Sequence, residues 1–441
     1  MSIPSSHKFG IYYETEGERD RTKMHTHNHP HNHAHPHTHS HSRRDFFGTL
    51  VKRTLAGAGL LELGHYRAAW FRAMAATADT QLFDIENVAP GVFFARARAQ
   101  ALVNANAAIF VNANGVLVVD SHSKPSAAGS LIAQIKKEVT PNPVRYVVNS
   151  HFHWDHTQGN HAYRASEPKI DFIASEATKK LMSDLALERL KASLDDVPKQ
   201  IDAMRARAAK ASSAAEKAFC AEQVRQMQAY QQEMKNYALE LPTITFATSH
   251  VIKDKAHDLH IEFHGHAHTA GDVVVYCPQK RAISSGDMIH GILPFIADGF
   301  PKTWPKTIDS VAALDFNRLM PGHGPLQQGR QPMTSLRNYL EELTSKVDQG
   351  KKEGKTVADL QKLLTAASLK SLQSDGYAKY VADNTYRTFP SFGPAAGLQG
   401  DININIGEIY KNLDRLYPDS ASWYDWEPRP SKTFVIVHFC F

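Results

Sequence analysis

Alternating and apolar runs organise the chain between about residues 90 and 330. Val92–Arg96, Ala107–Val111 and Gly115–Val119 read as strands, the last two joined across Asn114-Gly115, a dipeptide suited to a tight hairpin. Residues 126–138 carry a helical pattern. Pro141, Asn142 and Pro143 interrupt the chain, and Val144–Val148 is then apolar enough for a buried strand that delivers Asn149 and Ser150 to its carboxyl end. Further strands are predicted at Thr243–Phe246, Leu259–Phe263 and Val273–Tyr276, and again at Ala282–Ser285 and Leu319–Pro321. Strand–helix–strand order predicts an α/β fold with its chemistry at the strands' carboxyl ends.

Between these strand-rich stretches the pattern changes. Residues 174–240 are rich in Ala, Lys, Glu, Gln, Arg and Met, and Pro198 is the only proline between Pro168 and Pro242. Two or three long helices are predicted there, broken near Asp195–Pro198. A cap or dimerisation element beside a site and a solvated helical insertion fit this composition equally well. Beyond residue 330 the pattern is mostly helical to about 385, and Phe434–Phe441 ends the sequence on an apolar run. The organisation read from this is a leader over 1–78, a catalytic-type domain over 79–330 with its helical insertion at about 174–240, and a mostly helical extension over 331–441.

Composition narrows the class. The chain has 441 residues, 42% hydrophobic and 22% charged, as in soluble globular proteins. No apolar run reaches the roughly 18 residues of a membrane span. The formal charge of +5 comes mainly from residues 1–78, with 10 basic against 6 acidic side chains, so the body carries no nucleic-acid footprint. Cys220, Cys277 and Cys440 are odd in number and far apart, which suggests neither a disulfide framework nor a CxxC site.

Histidine occupies every odd position from His25 to His41, a tract with no apolar face and hence no core. It reads as a solvated leader, with loose metal capture as the alternative. Ser42-Arg43-Arg44-Asp45-Phe46-Phe47 follows and resembles the twin-arginine export signal. Small-residue cleavage candidates stand at Ala73-Met74-Ala75 and Ala76-Thr77-Ala78, although Lys52, Arg53, Glu62 and Arg67 interrupt the apolar region. Export to the periplasm is expected, with no stable membrane insertion after processing. Met24, directly before the tract, is an alternative start.

The chemistry concentrates at His151-Phe152-His153-Trp154-Asp155-His156. Three imidazoles and a carboxylate in the order H-x-H-x-D-H suit a transition metal. If a strand ends here, its period of two sends His151 and His153 to one side, and Asp155 and His156 reach a second ion from the turn beyond. Downstream, His264, His266 and His268 alternate before Thr269-Ala270-Gly271-Asp272, Gly286-Asp287 follows a strand, and Pro321-Gly322-His323-Gly324 follows another.

These four motifs, in this order, resemble the metallo-β-lactamase superfamily over about residues 85–330, less the helical insertion. The resemblance implies a four-layer αβ/βα sandwich with a dinuclear cleft between two sheet edges. It assigns His151, His153 and His268 to one metal, Asp155, His156 and His323 to the other, and Asp287 as the bridge. It implies two zinc ions, with iron or manganese as alternatives, and a metal-bridging hydroxide as nucleophile. Asp155 would orient that hydroxide and later carry a proton to the leaving group. The H-T-x-G-D context selects His268 over His264 and His266, which read as polar neighbours. His122 reads as a supporting residue, Asp272 as structural, and His290 as a solvated loop residue or a lining of the cleft.

A carboxylate at Asp287 resembles glyoxalase II-like and other general hydrolases of the superfamily more than dedicated β-lactamases. The expected reaction is hydrolysis of an ester, lactone, thioester or amide in a small molecule. A β-lactam hydrolase and an iron-binding redox or metal-handling protein are the alternatives. The apolar loop Met288–Trp304 would line one pocket wall or simply pack, and a homodimer through the insertion is a further expectation.

Overall fold

The computed structural model describes residues 81–98, 105–388 and 393–415. The His tract, the arginine pair, both cleavage candidates and Phe434–Phe441 lie outside the described residues. Strands β1 (Phe83–Ala89), β2 (Val92–Ala97), β3 (Ala107–Asn112), β4 (Gly115–Val119), β5 (Val144–Val148), β6 (Asp171–Ser175) and β7 (Ile244–Phe246) form one sheet in sequence order. Pairing is antiparallel up to β4 and parallel from β4 to β7. Parallel neighbours need crossovers. Helix α1 (Pro125–Gln134) supplies the first, the short helices α2 (Trp154–Thr157) and α3 (Asn160–Ser166) the second, and α4 (Glu176–Lys210) with α5 (Ala214–Glu233) the third.

The second sheet takes the order β13 (Gln327–Gln328), β12 (Arg318–Pro321), β11 (Ala282–Gly286), β10 (Val273–Cys277), β9 (Leu259–Phe263), β8 (Ser249–Ile252). Helix α6 (Trp304–Ala312) crosses between β11 and its parallel partner β12. Helices α7 (Gln331–Lys352), α8 (Val357–Leu363), α9 (Lys370–Gln373), α10 (Tyr377–Thr388) and α11 (Gly393–Asn412) follow.

Strand alternation decides the layering. On β3 and β4, Ala108, Phe110, Leu117 and Val119 face the second sheet and meet Ile261, Val273, Val275 and Met320. Ile109, Val116 and Val118 point the other way, onto Ala127 and Leu131 of α1 and Tyr163 of α3. On the second sheet, Val274, Ile283 and Leu319 turn outward to Trp304 and Ile308 of α6 and to Leu336, Leu340 and Leu343 of α7. Ile402, Ile406 and Ile409 of α11 join that same cluster, so the chain beyond residue 330 completes the outer layer. The result is the expected helix–sheet–sheet–helix sandwich. Each fully buried large side chain contributes roughly 1.5–3 kcal/mol to holding it together.

The insertion departs from expectation at its break. Helix α4 runs through Pro198 without ending, and the chain turns instead at 211–213. Leu190, Val197, Ile201 and Met204 recur at helical spacing and pack on Phe219, Cys220, Met227 and Tyr230 of α5. That apolar seam offsets the hydrogen bond that the exposed Pro198 cannot donate. Ser175 and Ser213 accept from Thr178 N and Glu216 N, capping both helices. Among the described residues no helix is long and apolar enough to cross a membrane.

Candidate metal centre

The predicted donors gather where loops leave the carboxyl ends of β5 and β11 and meet those before β10 and after β12. His151 and His153 lie on the connection after Val148 rather than on the strand itself, and Asp155 and His156 sit in the first turn of α2. His268 precedes β10, Asp287 follows β11 and His323 follows β12. One donor from each of His151, His153, His268 and Asp287 falls within 4.8 Å of the others, and so do donors of Asp155, His156 and His323. All seven predicted side chains therefore converge, in two groups, with Asp287 falling in the first.

Outer partners fix the imidazole tautomers. His268 Nδ1 faces the Phe295 carbonyl at 2.9 Å, and His153 Nε2 faces the Asp298 carboxylate at 2.9 Å. Both partners are acceptors, so both nitrogens carry the proton. Ser150 Oγ donates its only hydrogen to Asp120 at 2.9 Å and so accepts from His151 Nδ1 at 3.0 Å. His156 Nδ1 donates to Asp120 at 2.8 Å. The inward nitrogens are left as lone pairs. His153 Nδ1 lies 3.0 Å from His151 Nε2 and 2.9 Å from His268 Nε2, a repulsive approach that a shared cation turns favourable. His156 Nε2 is buried with no hydrogen-bond partner. An array of inward lone pairs fits a metal and fits little else.

Asp287 joins the two groups. Its Oδ2 lies 3.5 Å from His268 Nε2 and 3.2 Å from His323 Nε2, while Oδ1 is 3.4 Å from His156 Nε2. Asp155 Oδ2 is 3.2 Å from His323 Nε2. The electrostatics show a place short of positive charge. Burial opposes a charge on His323, yet Asp287 and Asp155 push it up to about 10. Burial would raise Asp287, but His323, His156 and His290 hold it well below the usual carboxylate range. His151 and His268, away from Asp155, are driven well below 6.5 by burial and by neighbouring imidazoles, which keeps them neutral as ligands must be.

The sequence profile of the Metallo-beta-lactamase superfamily matches residues 101–323. The chain belongs to the metallo-β-lactamase superfamily. It is accordingly a metal-dependent hydrolase. Among solved structures it is similar to the stereoselective inverting sec-alkylsulfatase Pisa1 from Pseudomonas sp., with 15% identity and a TM-score of 0.53 over 78% of this chain. The match spans 52%, about half, of that longer protein. It is also similar to a metallo-beta-lactamase from Pontibacter korlensis at 19% identity, covering 58% of this chain and 98% of that one with a TM-score of 0.42. One from Erythrobacter litoralis gives 17% identity over 59% and 97%, with a TM-score of 0.42. No curated protein matches the sequence.

Several residues around this superfamily centre take places the sequence did not predict. His290 is not a solvated loop residue. It is 2% exposed, completes no hydrogen bond, and holds Nε2 3.2 Å from Asp287 Oδ2. Leu293, Ile296 and Phe300 are core, so the loop after Asp287 presents mainly Phe295, whose ring lies 6.4 Å from His153. His264 is engaged by Ser310 and Glu262, away from the centre. Asp272 is structural as expected, accepting from Thr269 N at 2.7 Å and Thr269 Oγ1 at 3.0 Å. His122 donates Nδ1–H to Ala105 O at 3.1 Å, and burial lowers it to about 3, so it is neutral.

One residue that sequence reading passed over is Asp120. Its carboxylate accepts from Ser150 N, Ser150 Oγ and His156 Nδ1 at 2.8–2.9 Å, supporting one donor of each group. It does so from a left-handed backbone, φ 68°, a region that aspartate enters more readily than most residues other than glycine. The signal was present: an acid directly after the wholly buried strand β4 has no reason to be there except a partner. Gly322 was equally telling. A Cβ there would stand 2.1 Å from Asp287 Oδ1 and 2.9 Å from His156 Cε1, so the backbone itself forms a wall of the centre.

Proposed function

We propose that this protein is an exported dinuclear zinc hydrolase that cleaves an ester, lactone, thioester or amide bond of a small molecule. The observation that carries it is the convergence of seven donor side chains in two groups, three imidazoles facing one another in the first and Asp287 between the two. The first group offers three imidazoles and Asp287, the second two imidazoles and Asp155, a donor mixture suited to zinc. A divalent pair held by His151, His153, His268, Asp287, Asp155, His156 and His323 would supply hydroxide near neutral pH and polarise the oxygen of the scissile bond.

The chain's own residues do the remainder. Asp120, Phe295 O and Asp298 hold three imidazoles in the metal-binding tautomer. Asp155, buried beside His156 and His323, is an acceptor that would orient the attacking water and then return the proton to the leaving atom. Phe295 offers an apolar surface beside His153, which favours a substrate with a hydrophobic part. Ser42–Phe47 supports the export half of the proposal, since a twin-arginine route carries folded, metal-loaded proteins. A carboxylate at Asp287 favours a general hydrolase over a dedicated β-lactamase.

The test pairs metal analysis with a substrate panel on the metal-replete protein: nitrophenyl esters, lactones, thioesters, amides, a carbapenem and an alkyl sulfate. Two zinc per chain and turnover of one of the first four classes is the expected result. His153→Ala should abolish turnover, and Asp155→Asn should lower kcat by roughly 10²–10⁴-fold. Full activity in either variant, or two redox-active iron ions, refutes the reading.

A further inference from the structure

Helix α4 of the insertion reaches the surroundings of His153 through Arg189. The Arg189 guanidinium grips Asp298 with two bonds, Nη1 to Oδ2 at 2.7 Å and Nη2 to Oδ1 at 3.0 Å. The same Oδ2 accepts from His153 Nε2 at 2.9 Å. The guanidinium also lies over the ring of Phe152, 4.9 Å from its centroid, directly beside His153 in sequence. Asp298 and Arg189 are both largely shielded, with side chains 13% and 22% exposed. A bidentate, stacked arginine fixes the plane of its carboxylate in a way a lysine cannot.

The insertion is tied down around this contact. At the N-terminus of α4, Ser175 Oγ and Thr178 Oγ1 donate to Gly271 O at 2.7 and 2.9 Å, on the loop that carries His268. From α5, Tyr230 donates to Gln158 at 2.8 Å and its ring meets Trp154 edge-on at 6.3 Å, on the helix that carries Asp155 and His156. Two anchors hold the helical pair against the motif loops, and Arg189 projects between them.

We infer that Arg189, acting through Asp298, is a positioning residue for His153, so that the helical insertion is a working part of the metal centre. The inference rests on the reading of His153 as a metal-holding residue. The Arg189–Asp298 pair sets the His153 tautomer and ring plane, and with them the affinity of the group formed by His151, His153 and His268. The second group, built on Asp155, His156 and His323, is supported directly by Asp120, which reaches the first group only through Ser150 and His151, and it does not depend on Arg189.

Cobalt(II) is the probe. Wild type, His153→Ala, Arg189→Met, Arg189→Lys and Asp298→Asn are titrated with cobalt against a competing chelator, and the visible absorption of each bound ion is recorded. Wild type binding two ions and His153→Ala losing one establishes the underlying reading; wild type binding none defeats that reading instead. With it established, Arg189→Met and Asp298→Asn should each weaken one of the two ions by about 10–100-fold and alter its absorption, leaving the other unchanged. Arg189→Lys should recover only part of the loss. Two wild-type affinities and an unchanged spectrum in Arg189→Met overturn the inference, including where that variant melts at lower temperature, since a merely structural role would move only the melting temperature. If Arg189→Met does not fold, Asp298→Asn, which keeps the side chain's size, decides by the same two readouts.

Discussion

Asp120 turns back under the loop after β5, and from there one carboxylate satisfies Ser150 and sets the tautomer of His156. An asparagine tolerates the left-handed backbone almost as well, so Asp120→Asn separates chemistry from strain. Its amide cannot accept at every position the carboxylate serves. The expected outcome is a fall in metal affinity of about 10–100-fold with unchanged circular dichroism, read by chelator competition. At this scale the sequence was most informative where chemistry is carried by type and spacing, as in His151, His153, Asp155 and His156. It was least informative where a residue works on another's back. Asp298 and Arg189 reach His153 from positions far along the chain, and nothing in spacing announces a contact that only tertiary folding creates. His290 misled for a related reason: a histidine in a loop sequence is usually wet, and this one is enclosed by Asp287, His268 and His323.

The elements show the same division between pattern and context. Strands β2 to β5 were legible because apolar runs bounded by Asn-Gly and Pro-Asn-Pro leave little choice. Strands β8 and β13 were not, because short edge strands with half-exposed residues carry no alternation to detect. Pro198 marked a break that does not occur. The seam of Leu190, Val197, Ile201 and Met204 against α5 overrides the local cost, and the proline itself is exposed. Replacing it should therefore add a backbone hydrogen bond and lose no packing. Pro198→Ala is expected to stabilise the helical pair by about 1–3 kcal/mol, seen as a higher urea midpoint by helical signal, with metal content unchanged.

At the scale of the whole molecule, the outer layer on the second sheet half-buries a carboxyl. Burial pushes Asp401 on α11 up to about 7, against an ordinary value of 3.8. The folded protein thus binds a proton there that the unfolded chain releases. This contribution to stability is full below about pH 4 and is lost as pH rises through 7. Asp401→Asn should flatten that part of the stability profile, measured as urea midpoints between pH 5 and 8; an unchanged slope counts against it. The four-layer plan was readable in advance because motif order implied it. How the two halves are joined at the centre was not. His151, His153, Asp155 and His156 come from the first sheet's loops, and His268, Asp287 and His323 from the second's, and each group draws on both. A cation in either group is then a reversible crosslink between the two leaves of the sandwich, spanning a stretch of chain that includes the whole insertion. Loading the centre closes long loops much as a disulfide would, but with a bond that a chelator can undo, so the mechanical unity of this protein becomes a function of the metal available to it.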